Sequence, residues 1–153
     1  MIDVILYEPE IAPNTGNIIR LCANSNTRLH LIEPLGFDWD DKKLRRAGMD
    51  YFEYASVERY SDFETFLQTH QNRRIWPCTV KTTRQHHQQN YQADDMFLFG
   101  PESRGLPASV LARFQQYQIR VPIIPQSRSL NLSNTVAIVV FEALRQLNYP
   151  DMA

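Results

Sequence analysis

Six polar residues between positions 127 and 134 are the best candidates for chemistry in this chain. Ser127, Arg128, Ser129, Asn131, Ser133 and Asn134 set three hydroxyls, two amides and a guanidinium directly before an apolar stretch, Val136 to Leu147. An ordinary connector turns with Gly, Pro or Asp. This one presents hydrogen-bonding groups just where the unpaired N–H groups of a helix N-terminus also point outward, an arrangement that binds a polar or anionic ligand. Val121 to Pro125, immediately upstream, adds apolar, carbonyl-rich backbone. Together they suit a ligand with a flat base and a charged tail. Ser133 or Asn131 is the expected cap of the following helix, which leaves the other polar side chains for a ligand.

Two earlier segments share this character. In the first, Asn14 is placed to cap a helix, and helical spacing puts Asn17, Arg20 and Asn24 on one polar face. Arg20 then either faces a site or pairs at the surface with Glu8 or Glu10. In the second, Gly100 and Gly105 flank Pro101, Glu102, Ser103 and Arg104, allowing either close backbone approach to a ligand or a plain turn. The chain contains neither a P-loop nor the Gly-x-Gly-x-x-Gly fingerprint, which argues against nucleotide hydrolysis and hydride transfer.

Alternating strands and helices must position these loops. Continuous apolar runs predict strands over Ile2 to Tyr7, Leu29 to Ile32, Ile75 to Val80, Met96 to Phe99 and Ile119 to Ile123. Helices are expected from about Thr15 to Ser25, over the basic stretch Asp40 to Ala47, and over Ser61 to Thr69 with Phe63, Phe66 and Leu67 inward. Two more run from Pro107 to about Phe114 and from Ser133 to Leu147. This order predicts an α/β fold, a mostly parallel sheet with helices on both faces, in one domain spanning residues 1–153. In such sheets ligands gather beyond the C-terminal ends of strands, where all three polar segments fall.

Composition narrows the class. With 43% apolar and 22% charged residues in 153, the chain has enough material for one buried core, and no apolar run approaches the roughly 20 residues of a membrane span. The start of the chain reads as a first strand rather than a signal peptide, so a cytoplasmic protein is expected. Cys22 and Cys78 lack metal-ligand spacing and sit among apolar residues, so buried reduced thiols are expected and no metal site. A net charge of −1 argues against a protein that grips nucleic acid mainly by its overall field. Local clusters remain: Lys42, Lys43, Arg45 and Arg46; Arg73 and Arg74; Lys81, Arg84, His86 and His87. Each is either a nucleic-acid footprint or a solvated face.

The three polar segments, in their order and spacing, resemble the motifs of the SPOUT superfamily of knotted RNA methyltransferases. Tyr7 to Ile11, Pro13 to Asn24, Trp39 to Lys42, Leu44 to Gly48 and Phe99 to Glu102 look like its TrmL-type subgroup, and the likeness covers essentially the whole chain. It departs at Val80 and Thr82, in the loop after a predicted strand, and at Asn26 and Thr27.

The resemblance implies a deep trefoil knot near the C-terminus and a homodimer with its active site at the subunit interface. It implies S-adenosyl-L-methionine as cofactor and 2′-O-methylation of the wobble nucleotide, cytidine or modified uridine, of leucine tRNAs. By the same likeness Cys78, Gly100, Val121, Ser129 and Leu130 hold the cofactor, and Asn14, Arg20, Glu102 and Asn131 form the catalytic set. Lys42, Lys43, Arg45 and Arg46 are expected to bind RNA. Family proposals make the arginine a general base. A guanidinium surrenders its proton reluctantly, which favours Arg20 as a clamp on a phosphate or ribose oxygen. Methylation of another tRNA nucleotide or another RNA, and a non-catalytic RNA-binding factor, are the alternatives.

Overall fold

The computed structural model describes residues 1–40, 42, 44, 46 and 55–153. Its centre is a five-stranded sheet in the order β3-β2-β1-β5-β4, where β1 is Asp3–Tyr7, β2 Arg28–Ile32, β3 Val57–Tyr60, β4 Ile75–Cys78 and β5 Met96–Phe99. Every neighbouring pair is parallel, with Val4 beside Leu29 on one side and Phe97 on the other. A parallel sheet is covered on both faces, which is why β1 and β5 read as unbroken apolar runs.

The alternation of side chains sorts those runs into two cores. Val4, Leu6, Leu29, Leu31, Trp76, Phe97 and Phe99 face α1 (Ala12–Asn24) and the final helix. There they meet Ile18, Ile19 and Cys22 of α1 and Val136, Val139, Val140 and Ala143 beyond. Ile5, Ile32, Ile75, Met96 and Leu98 face the other way, against Phe63 and Phe66 of α2 (Phe63–Thr69) and Val110 and Leu111 of α3 (Ala108–Leu111). The final helix, α4, spans Leu132–Gln146. The α/β class, the parallel sheet and the helices on both faces are as expected. Among the described residues no helix is long and apolar enough to cross a membrane.

Several boundaries differ from the sequence reading for physical reasons. Helix α1 starts at Ala12 with Ile11 as its cap residue, because Pro13 fits the first turn; Asn14 therefore lies inside the helix and caps nothing. The strand expected over Ile75 to Val80 stops at Cys78. Only Ile119 and Arg120 of the expected strand Ile119 to Ile123 pair, with Cys78 and Gln85, since Pro122 has no N–H to extend the ladder. The helix after Pro107 breaks into α3 and a 3-10 segment, Ala112–Tyr117, with Phe114 out of helical geometry. Strand β3 is additional to the expected set, because Val57, Glu58 and Arg59 are not buried and give no apolar run.

Candidate active site

β1 lies between β2 and β5, so the chain leaves its C-terminal end at the point where strand order reverses. Crevices at such switch points hold ligands. Here the segment after β1 and the loop after β5 clasp each other. Glu102 accepts from the backbone N–H of Glu10 at 2.7 Å and of Ile11 at 3.1 Å, and from Asn14 Nδ2 at 3.4 Å. Ser103 returns the contact through its N–H and hydroxyl to Glu10, at 2.9 and 2.8 Å to Oε1. These bonds hold the Glu10 carboxyl below its usual range. Arg104 reaches Glu8 at 2.6 Å.

Above this clasp opens a cleft of about 540 Å³. Cys78, Thr79, Val80 and Lys81 line it after β4, Phe99 to Leu106 after β5, and Ile11 and Asn14 from the start of α1. Val121, Ile123 and the run Arg128 to Leu132 close the remaining side. Its volume lies within the range of sites for cofactor-sized molecules. A Cβ on Gly100 would stand 2.4 Å from the Leu106 backbone nitrogen, so only glycine lets the two ends of this loop come so close.

Asn131 links the wall to the floor. Its Oδ1 accepts from Ser133 N at 2.9 Å and caps α4, while its Nδ2 donates to Asn14 Oδ1 at 3.0 Å. Asn14 in turn donates to Glu102. Three residues from three separate segments thus form one directional chain of hydrogen bonds, ending on a carboxylate that also grips backbone. Burial pushes the Cys78 thiol up to about 12, against a partly opposing contact from the Val121 backbone, so the sulfur is a protonated wall atom and not a nucleophile. Both cysteines are unpaired, and Cys22, enclosed by the core, is pushed up further.

The structure therefore brings together Asn14, Glu102 and Asn131, and places Cys78, Gly100, Val121, Ser129 and Leu130 around the same cleft. Arg20 is elsewhere. It lies on the exposed face of α1 with Asn17 and Asn24 and is not among the cleft-lining residues. Lys42 and Arg46 are exposed; Lys43 and Arg45 lie outside the described residues. Arg73 and Arg74 prove structural rather than a footprint: Arg73 binds Asp3 at 2.7 Å and Arg74 binds Asp95 at 2.6 Å. His86 is buried, apart from its exposed neighbour His87. Arg128, one of the polar residues singled out in the sequence, lines the cleft as well, and Thr79 and Ile11 join it from segments whose composition gave no such signal.

The profile described as the SpoU rRNA Methylase family matches residues 1–141. Over 151 residues the chain is 56% identical to a tRNA (cytidine(34)-2'-O)-methyltransferase of Escherichia coli strain K12, covering 98% of this chain and 96% of that one. An enzyme of the same name from Aeromonas hydrophila is 55% identical over 151 residues, 97% and 96% of the two chains. Among solved structures, one concerned with the 2-OH methylation of C/U34 on tRNA superimposes with a TM-score of 0.93 at 39% identity, covering 97% of each chain. An AdoMet-bound rRNA methyltransferase from Sinorhizobium meliloti gives 0.85 at 25% identity, over 95% of this chain and 56% of that one.

Proposed function

The chain belongs to the SpoU rRNA methylase family, and from that premise we propose that it is a methyltransferase which transfers a methyl group from S-adenosyl-L-methionine to the ribose 2′-oxygen of nucleotide 34 in tRNA. Supporting this reading are the names of relatives near 55% identity and the structure concerned with C/U34. The single observation that carries it is the Asn131–Asn14–Glu102 chain beneath the cleft.

The residues present fit the cofactor. The cleft has apolar walls in Val121, Ile123, Leu130 and Phe99, a crowded glycine at Gly100, and side-chain and backbone polar groups between Arg128 and Asn131. Bound there, S-adenosyl-L-methionine supplies an electrophilic methyl carried on a sulfonium. The protein's own work is placement. Holding a ribose hydroxyl in line and excluding water lowers the barrier by several kcal/mol, an order set by intramolecular analogues. Glu102 ties the start of α1 to the loop beneath the cleft, so Asn14 and the loop move as one body. Arg20 acts as a clamp on the RNA phosphate or ribose.

Because Arg20 is outside the cleft of its own chain, the reading includes a homodimer that brings α1 to the cleft at the subunit interface. Ile138 and Phe141, 39% and 40% exposed on α4, offer the apolar surface. The trefoil knot belongs to the same reading, as the family likeness implies it. Leucine isoacceptors are the proposed substrates, in the cytoplasm.

The decisive experiment incubates the protein with labelled S-adenosyl-L-methionine and total tRNA, then maps the modified nucleotide by nuclease digestion and mass spectrometry. A 2′-O-methyl group at position 34 of leucine tRNAs is expected. Label at another nucleotide would overturn the substrate, and absent transfer with intact cofactor binding would redirect the search to another RNA. The Arg20→Ala variant is expected to lose turnover while keeping cofactor affinity; full activity would remove Arg20 from the mechanism.

A further inference from the structure

On the far side of the sheet order from the cleft, β2 and β3 carry a second cluster of reactive side chains. His30 and Glu58 are direct register partners, and His70 follows the C-terminal end of α2 above them. One ligand atom from each lies within 4.8 Å of the others, and the His30 and His70 rings pack edge to face with centroids 4.8 Å apart.

We propose that His30, Glu58 and His70 form a binding site for a divalent transition-metal ion, with zinc the best chemical match. The argument begins at Asp3, which is wholly buried and held by Arg28 at 3.1 Å and Arg73 at 2.7 Å. His30 Nε2 lies 2.9 Å from the same carboxylate. A carboxylate paired with two guanidinium groups only accepts, so Nε2 carries the proton and the lone pair of the neutral ring is left on Nδ1. That Nδ1 is buried and has no hydrogen-bond partner. Buried polar atoms of this kind are nearly always paired, so an unpaired one needs an occupant. A carboxylate behind a histidine, fixing its tautomer and orientation, is the outer arrangement that metal-ligating histidines use.

The other two arms are already gathered. The Tyr60 hydroxyl donates to Glu58 at 2.6 Å and lies 2.9 Å from His70 Nε2. A cation entering the cluster displaces this hydroxyl. Donor atoms on zinc, each about 2.0–2.2 Å from the metal, are roughly 3.3–3.5 Å apart, so the arms must close by up to about 1.5 Å. Glu58 is exposed and His70 half-buried, leaving both free to do so. Two imidazoles and one carboxylate favour zinc over magnesium or calcium, and leave a fourth position for water. Such an ion would fasten the edge strand β3 and the end of α2 to β2. Positions 30, 58 and 70 are too far apart to form a recognisable ligand spacing, which is why the sequence suggests no metal.

The test titrates zinc chloride into chelator-treated full-length protein by calorimetry, with cobalt(II) absorption reporting the coordination. One ion per chain is expected, with affinity falling at least about tenfold in His70→Gln and in Glu58→Gln, and roughly 10–100-fold in Asp3→Asn. Circular dichroism and S-adenosyl-L-methionine binding verify that His70→Gln and Glu58→Gln are folded. Absence of saturable binding would overturn the proposal. So would binding left unchanged in both variants, or removed instead by His87→Gln. None of these readouts depends on methyl transfer.

Discussion

Asn131 donates from Nδ2 to Oδ1 of Asn14 at 3.0 Å, although 117 positions separate them, while its oxygen caps the helix that it precedes. The two ends of one amide thus serve two structures: the oxygen starts α4, and the nitrogen fixes α1 against it. The nitrogen's duty can be removed while the cap is kept.

Asn131→Asp keeps the capping oxygen but sets a carboxylate against Asn14 Oδ1. Asn131→Ala loses both functions. The alanine variant should be less stable by about 0.5–2 kcal/mol from the cap alone. The aspartate variant should stay nearer wild-type stability yet bind S-adenosyl-L-methionine more weakly. Thermal unfolding and calorimetry measure the two effects separately. Equal stability losses would mean that the cap is unimportant.

Gly100→Ala tests the crowding at the loop. The atoms its Cβ would meet are backbone, with Leu106 N at 2.4 Å and Gly105 C at 2.5 Å, so no flexible side chain can move aside. A stability loss of about 1–3 kcal/mol, as for overpacking, should accompany a marked fall in cofactor affinity. Denaturant melts and cofactor titration check it; a neutral result would show that the loop can open.

Asp3 gives a pH dependence. Burial by itself would raise its pKa, but hydrogen bonds from His30 and Arg73 outweigh this and hold it at about 2, against 3.8 when unperturbed. A carboxyl with a depressed folded pKa binds its proton more readily when unfolded. Its stabilisation is therefore complete above about pH 4 and is lost as pH falls through about 2. The size is on the order of 1–2 kcal/mol, allowing for screening around partly exposed Arg28. Chemical melts at several acid pH values should be steeper in pH for the wild type than for Asp3→Asn.

For RNA binding, the double variant Lys42→Ala with Arg46→Ala removes two exposed cations of the basic cluster. For every phosphate that the protein ceases to neutralise, the slope of log affinity against log salt should fall by roughly 0.9. Filter binding of tRNA across a salt series measures it. An unchanged slope would assign both residues to a solvated face.

How far the fold and the site can be read from the chain alone depends on range. β1 and β5 are legible because parallel strands covered on both faces leave unbroken apolar runs, as in Met96 to Phe99. The Ser- and Asn-rich segment is legible because its hydroxyls and amides are unusual for a connector, and Arg128 to Leu132 within it line the cleft. β3 gives no signal, since an edge strand with exposed Glu58 and Arg59 looks like a loop. Asn14 reads wrongly as a cap because Pro13 moves the helix start back to Ala12. The bonds of Ser103 to Glu10 and Arg104 to Glu8 span 93 and 96 positions, and no local pattern announces a partner so distant.

The cleft walls come from segments near residues 11, 80, 100 and 130, so no shorter stretch of chain contains a usable part of it. The wall is incomplete until α4 docks, and docking depends on contacts between residues far apart in sequence, which form slowly. Ligand affinity is thus a test of whether the molecule has finished folding: any ligand that needs all four segments binds only the completed cleft, and stabilises it through mass action.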